Sequence, residues 1–187
     1  MRPERPTAED LRAACGRRLR DVLSPGLAVV FCGINPSLYS AAVGHHFARP
    51  GNRFWPALHD AGFTDRLLAP EEDRTLLRHG CGLTNLVARA TAAADELAPD
   101  EIAAGARRLA AKLRRLKPGC VAFLGVGAYR VAFGHRAARI GPQPETLGGV
   151  RVWALPNPSG RTAAYQRADF ARLFRELRVD LSGHGRA

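Results

Sequence analysis

The polar residue with the most specific chemistry is an asparagine at the end of a short apolar run. Asn35 precedes Pro36, so its backbone is restricted to extended conformations and its side-chain amide stands on a stiff turn. An amide can accept a hydrogen bond from a water and donate one to a carbonyl, but it is not a strong base. The position could therefore orient a hydrolytic water, although an Asn-Pro pair is most often only a turn.

Three more polar segments follow other apolar runs, at residues 88–96, 125–129 and 156–161. The small residues at 157–160 would let the backbone approach a bulky ligand closely. Gly125 and Gly127 could hold a phosphate at the start of a helix, although a plain strand-to-helix turn is the more common meaning of such a pair. In an open parallel sheet these segments would share one crevice at the carboxyl ends of the strands.

A histidine pair and an aromatic residue, His45-His46-Phe47, form another candidate group. Adjacent side chains rarely point the same way, and no further His or Cys has ligand spacing, so the pair does not predict a metal site. Phe47 in a loop could stack on a nucleic-acid base. Phe54 and Trp55 are predicted to pack in the core.

The elements that would position these residues follow from hydrophobic periodicity. Short apolar runs at 27–32, 82–87, 121–124 and 150–155 predict strands. Helical faces occur at 52–61, 71–78, 100–116, 126–133 and 163–177, and Thr7 with Asp10 predicts a capped helix before them. Alternating strands and helices indicate an α/β protein, a three-layer α/β/α sandwich around a mostly parallel sheet. We expect one domain over residues 7–181, with loose ends at 1–6 and 182–187.

The chain carries a net charge of +11, and of its 28 basic residues only Lys112 and Lys117 are lysines. This excess is compatible with a polyanionic partner and equally with a GC-rich coding bias. No apolar run is long enough for a membrane span, and residues 1–6 do not resemble a secretory signal. Four well-separated cysteines predict reduced thiols and a cytoplasmic protein.

Five motifs together resemble the mismatch-specific uracil/thymine-DNA glycosylase family, of the bacterial mismatch uracil glycosylase type. They are GINP at 33–36, GHHF at 44–47, PGNRFW at 50–55, TNLVAR at 84–89 and NPSG at 157–160. Their order and spacing, across most of the chain, make the resemblance specific. It implies a uracil-DNA glycosylase-like fold and a monofunctional enzyme that flips a pyrimidine out of mismatched duplex DNA and excises it. It also implies an abasic product and neither metal nor cofactor.

The resemblance assigns roles to individual residues. Asn35 matches the asparagine that holds the attacking water, and Ile34 and Phe47 match the base pocket, where Phe47 stacks on the base. The loop that reads the partner guanine matches Asn157, Pro158, Ser159 and Gly160. Arg161 matches the wedge that fills the gap left by the flipped nucleotide.

The sequence departs from the family pattern at several positions. Ser37 stands where glycine is usual, which predicts a narrower pocket floor. Arg161 and the pair His45-His46 resemble the animal branch, whereas Ser40 resembles the bacterial, uracil-preferring branch. A hydroxyl near the pyrimidine 5-position would crowd a thymine methyl. We therefore expect Ser40 and His46 in the base pocket and a preference for uracil over thymine.

Asp95 is a candidate general base, because an asparagine alone is a poor one and the second strand leads towards this carboxylate. Its family counterpart is not reliably acidic, so the resemblance gives it no role. The alternative is that Asp95 caps the helix near Leu97 or Asp100.

The expected partner is double-stranded DNA with a uracil or a mismatch, bound by a monomer with no membrane contact. Arg49, Arg53 and Arg89 are weaker candidates for DNA contacts at the crevice rim. Arginines between residues 167 and 178 lie off the apolar stripe of the last helix and predict a solvated face. Two rival functions are a non-catalytic mismatch-binding protein, which an intact Asn35 disfavours, and a hydrolase of free nucleosides, which the basic composition disfavours.

Overall fold

The computed structural model describes residues 5–160 and 164–184 of the chain. Within these residues, five strands form one sheet in the order β2-β1-β3-β5-β4, in which only β4 runs antiparallel to its neighbour. The strands are β1 (Val29–Gly33), β2 (Cys81–Asn85), β3 (Cys120–Leu124), β4 (Gly141–Leu147) and β5 (Val150–Leu155). Of the ends expected to be loose, 1–6 and 182–187, residues 1–4 and 185–187 lie outside the described residues, whereas residues 182–184 belong to the last helix.

In the described part of the chain, six α-helices accompany the sheet. They are α1 (Ala8–Ala13), α2 (Leu38–Val43), α3 (Phe54–Asp60), α4 (Pro99–Leu116), α5 (Val126–Phe133) and α6 (Arg167–His184). Two 3-10 helices cover Pro70–His79 and Ala94–Glu96. Among the described residues, no helix combines the length and the apolarity needed to cross a membrane.

Apolar side chains on both faces of the sheet give the three-layer α/β/α sandwich that the sequence predicts. On one face Phe31 of β1 packs against Phe54 of α3 and Phe174 of α6, with ring centroids 5.4 and 5.7 Å apart. On the other face Phe123 of β3 packs with residues of α4 and α5. Since both faces are covered, β1, β2 and β3 are buried throughout, as expected for parallel strands.

The four predicted strands are confirmed with shifted ends, but β4 was not predicted. Its burial alternates and its sequence contains Pro142 and Pro144, which are compatible with an edge strand but not with a central one. A register irregularity between Pro142 and Thr146 fits this edge position.

The first helix begins as predicted, because Thr7 and Asp10 form a reciprocal capping box. Apolar residues at 11, 14, 15 and 19 have helical spacing, but the helix ends at Ala13 and Cys15 beyond it is exposed. Leu19 is buried instead in an extended segment whose next residues pair with β2, through mutual main-chain hydrogen bonds between Val22 and Leu83. This segment covers the outer edge of β2.

Candidate active site

A cavity of about 400 Å³ opens at the carboxyl ends of the parallel strands. Three of the four polar segments contribute to its walls: residues 33–37 after β1, residues 91–95 beyond β2, and residues 157–159 after β5. The position agrees with the rule that ligands of open α/β sheets bind where the strands end. From the fourth region only Leu124, at the end of β3, lines the cavity.

Gly125 and Gly127 form a strand-to-helix turn outside this cavity. The Gly125 N–H donates to the Leu155 carbonyl at 2.8 Å, and Gly125 has a φ of 132° directly before α5. Since that N–H is engaged within the fold, the structure favours the turn over a phosphate site.

Asn35 is held in one orientation by two hydrogen bonds from its amide nitrogen. Nδ2 donates to the Thr91 hydroxyl at 2.6 Å and to the Arg89 carbonyl at 3.2 Å. Thr91 Oγ1 in turn donates to the Ala93 carbonyl at 2.6 Å, which fixes the hydroxyl as the acceptor for Asn35. Both N–H groups of the amide are thereby used. The carbonyl oxygen Oδ1 is left to accept a hydrogen bond from a water or a ligand.

The turn that carries Asn35 is built by local capping. Ser37 is the N-cap of α2, with its hydroxyl accepting from the Ser40 N–H at 3.2 Å. The short helix α2, which was not predicted, therefore starts three residues after Asn35. Ser37 thus has a structural reason to replace the usual glycine, because serine is among the best N-cap residues.

Phe47 forms one wall of the cavity and has an uncommon backbone conformation. Its φ is +53°, in the left-handed region that few non-glycine residues adopt. The ring centroid lies 4.3 Å from that of Phe54, which is fully buried. Phe54 and Trp55 are core residues, as predicted. The core thus supports Phe47, which is partly buried and still lines the cavity.

Asn85 and Phe47 both lie close to Gly33, and Asn85 belongs to the site although no sequence pattern predicts a role for it. It ends β2 in register with Gly33 at the end of β1. A Cβ on Gly33 would lie 2.5 Å from Asn85 Oδ1 and 3.3 Å from the Phe47 ring, so only glycine leaves room for both side chains. The available signal was a polar residue at the end of an otherwise buried strand.

His46 lies in the cavity wall as a buried, neutral base. Nε2–H donates to the Arg20 carbonyl at 2.9 Å, so Nδ1 is the acceptor for the Asn85 amide, 3.5 Å away. Burial lowers the pKa of His46 below its ordinary value of 6.5, against the opposing hydrogen bond to Arg20. The neutral ring therefore orients Asn85 Nδ2.

This lowered pKa predicts that acid destabilises the protein through His46. As the pH falls below 6.5, His46 binds a proton in the unfolded chain but not in the folded protein. The free energy of unfolding therefore has its full value above this pH and decreases below it. We expect His46→Gln to remove part of that decline, up to about 1.4 kcal/mol per pH unit. Urea unfolding at pH 7 and pH 5 measures it. An identical loss in wild type and variant would contradict this assignment.

Both histidines of the pair contact the same carboxylate, that of Asp73. His45 Nδ1 lies 3.2 Å from Oδ2 of Asp73, which is buried in the 3-10 helix Pro70–His79. The same carboxylate accepts weakly from the His46 N–H at 3.5 Å. The structure shows no cluster of three potential metal ligands within residues 5–160 and 164–184.

Ser40 is buried in the cavity wall, with its hydroxyl held in place. Ser40 Oγ accepts from the Ala48 N–H at 3.2 Å and from the Ser37 hydroxyl at 3.1 Å. Because these two contacts occupy the acceptor capacity of the oxygen, its own hydrogen is available as a donor.

Asp95 lines the cavity from the 3-10 helix Ala94–Glu96, and its side chain is exposed. The capping alternative finds no support, because α4 has Ala98 at its N-cap with no side-chain cap. Glu96, not Asp95, closes the local turn by accepting from the Ala93 N–H at 2.7 Å.

The loop after β5 begins with a side-chain turn. Asn157 Oδ1 accepts from the Ser159 N–H at 3.0 Å, and Pro158 is buried. Gly160 follows, close to the loop before α3: a Cβ there would lie 3.1 Å from the Gly51 carbonyl oxygen. Arg161, the predicted wedge, lies outside the described residues.

The three arginines expected at the rim have different environments. Arg49 is exposed at the cavity. Arg53 instead donates to the main-chain carbonyls of Ser159 and Tyr165, and Arg89 forms a two-point ion pair with Glu101 at 2.6 and 2.8 Å. The expectation of a rim contact therefore fits Arg49 best, since internal hydrogen bonds occupy the other two.

The arginines of α6 contact the protein itself. Arg167 pairs with Asp60 at the end of α3, and Arg175 donates to the Asp60 carbonyl. Arg178 donates to the Ala61 carbonyl, and Arg172 pairs with Glu176 on the same helix. These contacts favour the prediction of a solvated, structural face.

Comparison with known proteins adds two findings. The family model of the uracil DNA glycosylase superfamily matches residues 20–181. The fold is similar to the solution NMR structure of a protein described as a "putative Uracil DNA glycosylase" from Methanosarcina acetivorans, with a TM-score of 0.58 and 23% sequence identity. The similarity covers 87% of this chain and 98% of that one. At this identity the structural match shows the fold alone.

Proposed function

Because the chain belongs to the uracil DNA glycosylase superfamily, we propose that it is a monofunctional glycosylase that excises uracil from mismatched duplex DNA. The family supports a DNA glycosylase that acts on uracil. The preference for mismatches and the flipping of the base are the finer parts of the proposal. Hydrolysis of the N-glycosidic bond would release the base and leave an abasic site for repair.

The observation that carries this proposal is the orientation of Asn35. Its Nδ2 is bound to Thr91 and Arg89, so its carbonyl oxygen can accept a hydrogen bond from a water at the cavity. A water held there would attack the sugar carbon, and the contribution of Asn35 would be mainly proximity and orientation. An amide oxygen is well suited to this task, since it needs no change of protonation.

The remaining walls fit a single pyrimidine. The Phe47 ring would stack on the base, and Asn85, which also lines the cavity, carries both an amide donor and an acceptor that would meet the edge of the base. These two groups complement the O4 acceptor and the N3–H donor of uracil. Donors aimed at the pyrimidine oxygens also stabilise the anionic leaving group, by the logic of an oxyanion hole. Ile34 completes the pocket beside Asn35.

Selectivity would arise from the cost of extruding the nucleotide, from the loop after β5 and from the base pocket. A mismatched nucleotide is cheaper to extrude than a paired one, and the cost is only a few kcal/mol. The loop of residues 157–160 would read the partner guanine, with Arg161 as the wedge. Within the pocket, the buried Ser40 hydroxyl would crowd the methyl group of thymine. We therefore propose uracil as the preferred base.

The test is single-turnover excision on labelled oligonucleotides with uracil or thymine opposite guanine, uracil opposite adenine, and single-stranded uracil. Abasic sites are revealed by alkaline cleavage. We expect the fastest excision from the G:U duplex and slower excision from G:T. Comparable rates on G:U and G:T would contradict the proposed base preference.

The same panel, together with a binding assay and with free deoxyuridine as a substrate, separates the rival functions. Tight binding to mismatched duplexes without abasic product would identify a non-catalytic binding protein. Release of base from free deoxyuridine, unaffected by undamaged duplex DNA, would identify a nucleoside hydrolase. For a glycosylase we expect competition by duplex DNA that weakens steeply as salt concentration rises.

Asp95→Asn tests whether this carboxylate assists Asn35. We expect about a tenfold loss of the single-turnover rate on G:U, less than a well-positioned general base contributes, because the side chain is exposed to solvent. Glu96→Gln is the matched control, since its carboxylate binds the Ala93 N–H instead. An unchanged rate for Asp95→Asn would eliminate the carboxylate from the mechanism.

A further inference from the structure

Arg53 connects the loop before α3 to the loop after β5. Its main-chain N–H donates to the Pro158 carbonyl at 3.0 Å. Its guanidinium donates from Nη2 to the Ser159 carbonyl at 2.6 Å and from Nη1 to the Tyr165 carbonyl at 2.5 Å. One side chain therefore binds the polypeptide both before and after the segment 160–164.

The guanidinium is itself held against rigid parts of the fold. Its central carbon lies 4.7 Å from the ring centroid of Phe170, which is fully buried in α6. Arg53 is also the N-cap residue of α3, directly before the fully buried Phe54. A cation over an aromatic face is stabilised by the ring, so Phe170 helps to hold the planar guanidinium of Arg53 in one position.

The bound carbonyls belong to the loop that borders the cavity. Pro158 and Ser159 line the cavity, and Arg53 fixes the carbonyls of both. The Gly51 carbonyl, two residues before Arg53, lies against Gly160, so the two loops touch at a further point. The contacts that hold Asn35, by contrast, are made by Arg89 and Thr91. Loosening the loop would leave the position of Asn35 unchanged.

We infer that Arg53 is a positioning residue for base excision, whose guanidinium fixes the 157–160 loop at the mouth of the pocket. This inference depends on the proposed function, because the loop matters for activity only when it engages duplex DNA. Its effect should appear in the opening of the duplex rather than in bond cleavage. Lysine cannot replace arginine here, since a point charge cannot bind two separated carbonyls with the geometry of a planar fork.

The test compares wild type with Arg53→Lys in single-turnover excision from two duplexes. One has uracil opposite guanine, and the other has uracil opposite a tetrahydrofuran abasic analogue, where no pairing opposes extrusion. We expect Arg53→Lys to lower the excision rate about tenfold on the first duplex and less than about threefold on the second, since lysine retains the charge but not both hydrogen bonds. Arg53→Gln should lower the rate further than Arg53→Lys on the first duplex, and by the same small factor as Arg53→Lys on the second.

Arg130→Lys is the matched control. Arg130 also donates twice to a main-chain carbonyl, that of Ala138, but from the exposed side of α5. Both rates should stay at the wild-type level. All rates are measured well below the melting temperature of each variant. If Arg53→Lys does not fold, the comparison of the two duplexes is made with Arg53→Gln.

Two results would overturn the inference: equal losses on both duplexes, or no loss on either. Equal losses would mean that Arg53 supports the fold or the pocket in general. Wild-type protein that is inactive on both duplexes would overturn the proposed function instead, so the two failures are distinguishable.

Discussion

Replacing Asn35 with alanine should lower the single-turnover rate of uracil excision by about 10³-fold without unfolding the protein. The side chain is only partly buried, and its contacts are two hydrogen bonds within the cavity wall. Removing it deletes the acceptor that would orient the water, while the base pocket keeps Phe47 and Asn85. The measurements are abasic-site formation on the G:U duplex and the melting temperature.

Thr91 provides the control for this prediction, because it sets the direction of the Asn35 amide. Thr91→Ser keeps the hydroxyl that accepts from Asn35 Nδ2 and should retain most of the rate. Thr91→Val has nearly the same shape but no acceptor, so the amide can rotate and the rate should fall. A full rate for Asn35→Ala, or equal rates for the two Thr91 variants, would contradict the proposed water-holding role.

Much of the fold was predictable because its central strands are buried on both faces. Such strands appear in the sequence as short, largely apolar stretches, and β1, β2, β3 and β5 were predicted from them, although β2 also contains Thr84 and Asn85. β4 was not predicted because an edge strand tolerates Pro142 and Pro144 and alternates exposed residues with residues that, beyond Gly141, are only partly buried. The six-residue α2 was missed because it is too short to show helical periodicity.

The candidate site was predictable where its residues are close in sequence. Asn35 and Phe47 stand in motifs whose order and spacing resemble a known family. The role of Thr91 was not predicted, although the residue lies in the polar segment 88–96. Its role is to bind Asn35, 56 residues away, and no local sequence pattern indicates that contact. The neutral state of His46 likewise depends on burial and on the distant Arg20 carbonyl.

Net charge alone was a poor guide to which arginines meet a partner. Several arginines bind other parts of the molecule, in ion pairs such as Arg89–Glu101 and Arg167–Asp60. Arg53 was placed at the rim from its sequence position, but the structure uses its guanidinium to hold a loop. Hydrogen-bond geometry, more than composition, separates structural arginines from candidates for phosphate contact such as Arg49.

Gly33→Ala should reduce excision by about 100-fold, because a new methyl group would intrude between the two walls of the pocket. Its Cβ would lie 2.5 Å from Asn85 Oδ1 and 3.3 Å from the Phe47 ring. Asn85 would have to shift, which would disturb its contact with His46 Nδ1. A displacement of about 1 Å at a catalytic site typically lowers the rate about 10²-fold. Overpacking a buried position should also destabilise the protein by about 1–3 kcal/mol.

Gly127→Ala is the matched control for this substitution. Gly127 lies within α5, is exposed, and a Cβ there would meet no atom within 4 Å. Alanine should therefore leave excision unchanged and stabilise the helix by up to about 1 kcal/mol. Excision rates and urea unfolding of the two variants separate pocket geometry from a general effect of added methyl groups. If Gly33→Ala kept the wild-type rate, the space between Asn85 and Phe47 could not be where the base binds, because that space would then be narrowed without consequence.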